Sequence, residues 1–457
     1  RIMAKVGFCA VAGSGMSALA QILKHQNNDV CGTDRSFDQG KEQKNKHALE
    51  SIGIRIFPQD GSMLDKDFSA LYASTAVEDT IPDIKRAKEL GIPVKRRSDL
   101  LAEIFSSYKY NVAIGGTSGK STVTAMIGYI LDKANLKPLV INGALLKNYE
   151  DKTGIPNIIY NNGEYCVIEA DESDGSIEKY TPYISVVNNI TLDHKSIDEL
   201  KLLFGDFIKK GKGGAVINKD CKNSADLQTL NPTTVTFSIK DSTADFYAEN
   251  ITAIPEGTTY TFRGKSYSLK LIGSFNVLNA MCATACCSLL GVKPETACTI
   301  LQTFLGTKRR LEVLGTVNNI TVIDDFAHNP DKVAASMSAL KSYKGRLLIM
   351  FQPHGFAPMR LMGREIMDSF IRYMDETDTL LLPEIYFSGG SVTRDISSKD
   401  LAMYVQRHNK EAHFFATREE LKQYLLNTAR PEDRIILMGA RDNSITDMGF
   451  DLLEKLK

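Results

Sequence analysis

Residues 111–131 read NVAIGGTSGKSTVTAMIGYIL, a short apolar run followed by a glycine-rich loop and a segment of mixed polarity. The run 111–114 predicts a buried strand, because a short apolar run bounded by glycines is typical of one. The segment behind the loop carries apolar residues at the spacing of one helix face: Val123, Met126, Ile127, Ile130 and Leu131. A strand that leads through glycines into a helix predicts an α/β fold with a phosphate-binding loop.

The loop between this strand and this helix contains the residue types that hold nucleotide phosphates. Glycine permits the turn that points backbone N–H groups at phosphate oxygens, and the helix dipole adds attraction. Lys120 is expected to neutralise the β- and γ-phosphates, and Ser121 or Thr122 to offer a hydroxyl to Mg²⁺. The general pattern has glycine at the position of Ile114, and an ordinary glycine-rich turn is the alternative. We predict that ATP contacts seven consecutive residues: Gly116, Thr117, Ser118, Gly119, Lys120, Ser121 and Thr122.

An acidic run follows the strand predicted at 165–169. It reads Glu-Ala-Asp-Glu-Ser-Asp over residues 169–174. Taken alone, such a run is more typical of a solvated loop. At the carboxyl end of a strand beside a phosphate loop, however, Mg²⁺–ATP needs hard oxygen ligands. We therefore predict that this acidic run supplies metal ligands.

A histidine and an asparagine follow the strand predicted at 184–187. His194 is the candidate ligand of a second metal through a neutral imidazole. Asn189 is expected to orient the nucleotide. A single histidine is more often structural, but its place after a strand end near the acidic run favours a ligand.

Strands alternate with helical patterns along the chain, which predicts parallel sheets and the α/β fold class. Over 245–272 the pattern changes to short polar/apolar alternation, which predicts antiparallel hairpins. A chain of 457 residues is too long for one core. We predict three domains, 1–108, 109–307 and 308–457, with a linker near residues 305–308.

Composition limits the classes of partner. Lysine plus arginine and aspartate plus glutamate both number 55, so the formal net charge is zero. This balance argues against nucleic acid and against a polybasic membrane surface. The eight cysteines include no CxxC pair, and no apolar run is long enough to span a bilayer. We expect a cytoplasmic protein with reduced thiols.

A second glycine loop, residues 10–15, follows the first predicted strand. Gly13 and Gly15 suit a phosphate-binding turn, and Asp34, 19 residues after Gly15, stands where a ribose-binding acid belongs. Ala10 and Ala12 add methyl groups where the backbone approaches phosphate in such sites. Plain strand–helix packing is therefore the alternative for this loop, and a nicotinamide dehydrogenase is the alternative for the site.

Six motifs in this order make the chain resemble the Mur ligase family over essentially its whole length. They are Gly116-Thr117-x-Gly119-Lys120-Ser121, Glu169-Ala170-Asp171-Glu172-Ser173-Asp174, Asn189-x4-His194, Asn276-x2-Asn279, Arg309-Arg310 and Asp324-Asp325-x2-His328-x-Pro330. The resemblance implies an N-terminal Rossmann-like domain for a UDP-sugar. It also implies a central P-loop ATPase-type domain and a C-terminal Rossmann-like domain for the incoming amine.

The resemblance implies an ATP-dependent enzyme that joins an amino acid, expected to be L-alanine, to UDP-N-acetylmuramate through an acyl phosphate. A murein peptide is the alternative amine, and a nucleotide-binding relative without catalysis is the alternative class. The implied cofactors are ATP and Mg²⁺ or Mn²⁺. The implied partners are small molecules, with the protein a monomer or weak homodimer. A dehydrogenase leaves the phosphate loop and the acidic run without a role.

The resemblance also implies roles for individual residues. The implied catalytic residues are Lys120, His194, Arg310, Asp325 and His328. The implied ATP contacts beyond the phosphate loop are Asn276, Asn279 and Arg310. The implied UDP-sugar contacts are Gly13, Ser14, Gly15, Met16, Asp34, Ser74 and Thr75. The implied metal ligands are Ser121, Glu169, Glu172 and His194.

The chain departs from its closest family branch at two places that bear on the substrate. Ser118 stands where those relatives usually have histidine. The stretch 351–360 keeps His354 and Arg360 but lacks additional basic and hydroxyl residues of the alanine-adding branch. We predict His354 and Arg360 as contacts of the amine substrate, with Arg360 gripping its carboxylate because a guanidinium binds a carboxylate through two hydrogen bonds.

Overall fold

The structure is a computed structural model that describes residues 3–74, 78, 80–173, 175–191, 195–387, 389, 391–440 and 443–457. The chain forms two compact units. The first unit comprises Arg1–Glu249, Thr261–Tyr267 and Val277–Thr307, and the second comprises Asn250–Tyr260, Ser268–Asn276 and Lys308–Lys457. The three domain ranges given above remain a prediction.

The first unit begins with a parallel sheet. Its strands are β1 (Lys5–Cys9), β2 (Asp29–Thr33), β3 (Arg55–Phe57), β4 (Ala70–Ala73) and β5 (Val94–Arg96). They lie in the order β3-β2-β1-β4-β5, and every pair is parallel. The helices are α1 (Ser14–His25), α2 (Arg35–Asp38), α3 (Gln43–Ser51), α4 (Pro82–Leu90) and α5 (Arg97–Ser106). Helix α1 forms because Met16, Leu19 and Leu23 recur on one face and are buried there.

The second sheet has ten strands. They are β6 (Tyr110–Gly115), β7 (Leu139–Ile141), β8 (Ile158–Ile159), β9 (Tyr165–Glu169), β10 (Ile184–Val187), β11 (Gly214–Asn218), β12 (Thr234–Ser238), β13 (Phe246–Ile254), β14 (Gly257–Phe262) and β15 (Lys265–Leu269). Their order is β15-β14-β13-β12-β11-β10-β6-β9-β7-β8. The helices of this part are α6 (Lys120–Lys133), α7 (Ile197–Lys210), α8 (Lys222–Ala225), α9 (Ser274–Leu289) and α10 (Pro294–Leu301). Single 3₁₀ turns cover Lys147–Tyr149, Ser176–Lys179 and Gln228–Leu230.

The third sheet lies in the second unit. Its strands are β16 (Glu312–Val317), β17 (Ile320–Asp325), β18 (Leu347–Gln352), β19 (Thr379–Pro383), β20 (Glu411–Phe415) and β21 (Arg434–Gly439). Their order is β16-β17-β21-β18-β19-β20, and only β16 runs antiparallel to its neighbour. The helices are α11 (Pro330–Leu340), α12 (Phe356–Tyr373), α13 (Ser398–Arg407), α14 (Arg418–Thr428) and α15 (Asn443–Lys455).

The strand order decides which loops share an edge. In the second sheet β6 lies between β9 and β10, and both neighbours are parallel to it. The phosphate loop, the acidic run and the Asn188–Asn189 pair follow these three strands, so they meet at one carboxyl edge. Ligands of parallel α/β sheets bind at this kind of edge, where the chain order reverses.

A hydrogen-bonded group, here called the polar seam, joins α1 to the segment before β8 within the first unit. It consists of the buried side chains of Ser17, Gln21 and Asn157 together with the Ser14 carbonyl and the Ile155 N–H. Gln21 Nε2 donates to Asn157 Oδ1 at 2.9 Å, and the backbone N–H of Ile155 donates to Gln21 Oε1 at 2.7 Å. Asn157 Nδ2 donates to Ser14 O and Ser17 Oγ, both at 3.0 Å. Every one of these buried polar atoms therefore has a partner inside the protein.

None of the described helices is both long and apolar enough to cross a bilayer. All eight cysteines are free thiols, and seven are buried. Burial raises the pKa of the thiols of Cys166 and Cys286. These cysteines pack as small apolar side chains.

Candidate active site

The phosphate loop joins β6 to α6 through two glycines with positive φ angles. Gly116 has φ +133° and Gly119 has φ +79°. A Cβ atom on Gly119 would lie 2.5 Å from Asn188 Nδ2, so only glycine fits at this point. No side chain caps the amino terminus of α6. Its first N–H groups are therefore available to an anion, as a phosphate site requires.

Two asparagines at the end of β10 hold this loop from behind. Asn189 Oδ1 accepts hydrogen bonds from Thr117 Oγ1 at 2.9 Å and from the Ser118 N–H at 3.0 Å. Asn189 Nδ2 donates to Ser118 O and Oγ. Asn188 Nδ2 donates to Ser118 O and to Asn279 Oδ1, both at 3.2 Å. Asn189, which we expected to orient the nucleotide, thus positions the loop.

Asn188 was not predicted from the sequence, although it follows a buried strand next to β6. Its Oδ1 atom is buried and has no hydrogen-bond partner in the described structure. An unpaired buried acceptor is costly in a finished fold, by about 1–3 kcal/mol. Its presence beside the phosphate loop is consistent with a site that a ligand completes.

The first two residues of α6, Lys120 and Ser121, each contact a glutamate side chain. Lys120 Nζ lies 2.9 Å from Glu172 Oε2, and the Glu172 side chain is only 6% exposed. Ser121 Oγ donates to Glu169 Oε1 at 2.7 Å, and the Gly143 N–H donates to Glu169 Oε2 at 2.5 Å. Ser121 and Glu169 thus offer neighbouring hard oxygens of the kind that Mg²⁺ prefers. Glu172, also predicted as a metal ligand, forms an ion pair with Lys120, and its metal role stays a prediction.

Asp171 and Arg97 extend this charged region toward the first sheet. Burial acts to raise the pKa of Asp171, but hydrogen bonds from Ser173 and the charges of Lys120 and Arg97 outweigh it, and the pKa lies below its ordinary value. A Cβ atom on Gly15 would lie 3.2 Å from Arg97 Nη1. Arg97, which was not predicted as a site residue, therefore lies against the second glycine loop.

The second glycine loop is held by Asp34. Asp34 Oδ2 accepts the Ala12 N–H at 2.8 Å, and Oδ1 accepts the N–H and hydroxyl of Ser36 at 2.9 and 2.6 Å. Both carboxylate oxygens of Asp34 therefore accept hydrogen bonds from the protein, and Asp34 positions the loop through the Ala12 N–H. Ala10 adopts φ +66°, a conformation that costs an alanine about 1 kcal/mol.

The other predicted UDP-sugar contacts divide by exposure. The Met16 side chain is buried in the core, so only its backbone is available to a ligand. Ser14 and Gly15 begin α1, and Gly13 is its N-cap. Ser74 follows the end of β4 and is exposed. Thr75 lies outside the described residues.

The two arginines after the linker have opposite environments. Arg309 is 8% exposed and has φ +57°. Its Nε donates to Asp324 Oδ1 at 3.0 Å, and its Nη1 donates to Ala440 O at 3.0 Å. Arg310 is exposed, with its guanidinium 5.2 Å from the Phe326 ring centroid. Arg309 is thus part of the fold, whereas the Arg310 side chain lies at the surface.

Asp325 and His328, two further predicted catalytic residues, also differ in burial. Asp325 is buried and accepts hydrogen bonds from the Leu311 N–H at 3.1 Å and from Ser336 Oγ at 2.6 Å. Burial raises the pKa of Asp325 above its ordinary value. These contacts support a role in positioning the segment after the linker. His328 is half-buried, with Nδ1 2.9 Å from Phe326 O.

The predicted amine-binding residues lie at the carboxyl edge of the third sheet. The His354 ring stacks on the Tyr386 ring, with centroids 5.1 Å apart. Arg360 Nη1 donates to Thr393 O at 2.7 Å and forms an ion pair with Asp395 Oδ1 at 2.8 Å. Arg360, which we expected to bind the carboxylate of the amine substrate, therefore contacts Thr393 and Asp395 of the protein in this structure.

Three predicted contacts remain. His194, predicted as a catalytic residue and metal ligand, lies outside the described residues. Asn279, in the first unit, is buried and bonded to Asn188. Asn276, in the second unit, donates from Nδ2 to Ile272 O at 2.9 Å.

Family models match three consecutive parts of the chain. The model of the Mur ligase family catalytic domain matches residues 5–109, the Mur ligase middle domain 114–287, and the Mur ligase glutamate ligase domain 309–441. A UDP-N-acetylmuramate–L-alanine ligase of Cyanothece sp. is 33% identical over 95% of this chain and 92% of its own length. A ligase of the same name from Sulfurihydrogenibium sp. is 32% identical over 99% of this chain and 98% of its own.

Solved structures support the same architecture. The UDP-N-acetylmuramate–alanine ligase of Thermotoga maritima has a TM-score of 0.78 at 25% identity and covers 99% of both chains. A murein peptide ligase of Psychrobacter arcticus, with a TM-score of 0.62 at 21% identity over 99% of both chains, shares the fold. These findings confirm the predicted α/β class and three-domain architecture, and they confirm the resemblance drawn from the six motifs.

Proposed function

The chain belongs to the Mur ligase family, and on that premise we propose that it is an ATP-dependent, ADP-forming ligase joining L-alanine to UDP-N-acetylmuramate in peptidoglycan precursor synthesis. The observation that carries the proposal is the alignment with relatives of that name over 95% and 99% of this chain. The phosphate loop with Lys120, Ser121 and Glu169 supports the ATP-dependent half of the reaction.

The proposed reaction begins with the carboxylate of UDP-N-acetylmuramate, which is a poor electrophile until it is phosphorylated. In our proposal Lys120 and the N–H groups of the first turn of α6 hold the phosphates and neutralise their charge. Transfer forms a bond between the carboxylate oxygen and the γ-phosphorus and releases ADP. Phosphoryl transfer needs mainly such positioning and charge neutralisation.

The second step is attack of the neutral amine on the acyl phosphate. A C–N bond forms, the C–O bond to phosphate breaks, and the nitrogen loses its proton. Negative charge collects on the carbonyl oxygen during this step, and a nearby donor speeds it. We assign this stabilisation to the exposed Arg310, since Arg309 beside it is bonded to Asp324.

Mg²⁺ fits the donors that the structure brings together. Ser121 Oγ and the Glu169 carboxylate would hold the ion, whose charge would offset that of the ATP phosphates. Among the described side chains no three histidine, cysteine, aspartate or glutamate residues converge on one point. This is consistent with Mg²⁺, which is usually bound by one or two carboxylates together with water and substrate phosphates.

We also propose that the reaction takes place in the cytoplasm with small molecules as its only substrates. The free thiols support a reducing compartment. The zero net charge argues against nucleic acid as a partner.

A screen of phosphate release tests the proposed reaction. The purified chain is mixed with ATP, Mg²⁺ and UDP-N-acetylmuramate, and each reaction receives L-alanine, glycine, L-serine or murein tripeptide. We expect release that requires the UDP-sugar and is fastest with L-alanine. Phosphate release that occurs with murein tripeptide but with none of the single amino acids would identify a recycling ligase. No amine-dependent release with any of them would identify a nucleotide-binding protein without this activity.

Glu169→Gln tests the metal site. The substitution keeps the shape of the side chain but removes the negative charge next to Ser121. We expect the Mg²⁺ concentration for half-maximal activity to rise roughly tenfold or more, because carboxylate ligands dominate such sites. The KM for UDP-N-acetylmuramate is expected to stay unchanged. Glu164→Gln, an exposed position just before the same strand, is the matched control. Superimposable Mg²⁺ titrations of wild type and Glu169→Gln would remove Glu169 from the metal site.

A further inference from the structure

The segment after β19 contains an arginine that the proposed mechanism does not yet use. Arg394 is exposed and lies between Thr393 and Asp395. Both of these neighbours are bonded to Arg360 on α12, one through its carbonyl and one through its carboxylate. Arg360 therefore holds the residues on both sides of Arg394 and is the ion-pair partner of the neighbouring Asp395 carboxylate.

Two aromatic rings hold the Arg394 guanidinium itself. Its central carbon lies 5.6 Å from the Phe356 ring centroid and 5.2 Å from that of Phe387. The two rings also contact each other edge to face, with centroids 5.7 Å apart. Packing against aromatic rings leaves the N–H groups of a guanidinium able to donate to an anion. In the described part of the chain no carboxylate forms an ion pair with Arg394.

The position of this arginine is that of a ligand contact. Phe356 begins α12 directly after the β18 end, and Phe387 follows β19, so both rings lie at the carboxyl edge of the third sheet. The stacked pair of His354 and Tyr386 lies at the same edge. Parallel α/β sheets bind their ligands there. A guanidinium held between two rings at this edge, with no ion pair among the described residues, suits a carboxylate.

We propose that Arg394 binds the α-carboxylate of the amine substrate, and that Arg360 positions it. The assignment rests on the proposed ligase function. The substrate class is an α-amino acid, or a peptide, whose carboxylate enters as an anion while its amine enters neutral. Arg394 holds the carboxylate so that the amine nitrogen is left to attack.

The test compares L-alanine with L-alaninamide, which has the amine but no carboxylate. In wild type we expect a clear preference for L-alanine. In Arg394→Ala the KM for L-alanine is expected to rise about tenfold to a hundredfold, and the preference over the amide to disappear, because a charged hydrogen-bond pair is lost. The KM values for ATP and UDP-N-acetylmuramate should not change. Arg394→Lys keeps the charge without the fork and should recover part of the preference.

Arg364→Ala is the matched control, since Arg364 lies on α12 and contacts the Tyr404 ring in a comparable exposed pair. It is expected to behave as wild type. An Arg394→Ala enzyme that keeps the wild-type KM for L-alanine and its preference over the amide would overturn the assignment alone. A wild type without amine-dependent phosphate release would overturn the proposed function, and the assignment with it.

Discussion

Lys120→Ala is expected to lower kcat for amine-dependent ADP formation about a hundredfold or more. The γ-phosphate then transfers without the cation that the loop supplies, and loss of one such electrostatic contact costs about 3 kcal/mol or more in the transition state. The side chain is held on the loop by Glu172 at 2.9 Å, so its place at the head of α6 is defined. Phosphate release and circular dichroism of the same preparation measure rate and folding together.

The substitution has a second effect that must be separated from the first. Without Lys120 the nearly buried Glu172 carboxylate has lost its positive partner, which destabilises a fold. Lys120→Ala combined with Glu172→Gln removes both charges, and we expect it to recover thermal stability but not activity. A double variant within tenfold of wild-type kcat would show that Lys120 acts only as the partner of Glu172, and would remove it from the catalytic set.

Arg309→Ala is expected to lower the free energy of unfolding of the second unit by about 3–5 kcal/mol, the usual effect of breaking one side of a buried ion pair. Asp324 is fully buried and loses its cationic partner. The carbonyls of Asp325, Gly439 and Ala440 lose donors at the same time. Chemical denaturation of the whole chain, followed through the unfolding of this unit, measures the change.

Arg310→Ala is the matched control one residue away. Its side chain is exposed, so we expect a change of about 1 kcal/mol or less. Equal destabilisation by both variants would contradict the assignment of Arg309 as the internal residue.

The decrease in the free energy of unfolding caused by Arg309→Ala should also depend on pH. Burial already raises the pKa of Asp324 in the folded protein, despite Arg309. A carboxyl with a raised folded pKa binds its proton more readily in the folded than in the unfolded state, so acid favours the folded state for this group. Removing Arg309 raises the pKa further. The destabilisation is therefore expected to be smaller at about pH 5 than at about pH 8.

The sequence is sufficient to predict features that depend on local pattern. The strand, loop and helix around Lys120 follow from a few consecutive residues, and β6 and α6 form at the predicted positions. The acidic run and Asn189 were expected near the phosphate loop because each follows a strand of a sheet that was predicted to be parallel. The strand order places β9 and β10 on either side of β6.

The sequence is insufficient where the outcome depends on distant partners. Arg309 and Arg310 are identical in type, and only the contact of Arg309 with Asp324 distinguishes the buried residue from the exposed one. The contact of Glu172 with Lys120, 52 residues away, was not predicted from the sequence. Nor was the hydrogen bond from the Ala12 N–H to Asp34, 22 residues away. Such pairings depend on tertiary structure, which a local motif does not specify.

The polar seam limits how hybrid enzymes can be assembled from this chain. A grafted amino-terminal segment, cut at the start of β6, would bring its own α1 and replace Gln21 and Ser17 while leaving Asn157 and Ile155 in place. Each side-chain or backbone atom left without its partner would cost about 1–3 kcal/mol in the buried interface. The smallest exchangeable block therefore includes the segment before β8 as well. Library designs that shuffle substrate specificity among relatives should place their crossover after Asn157.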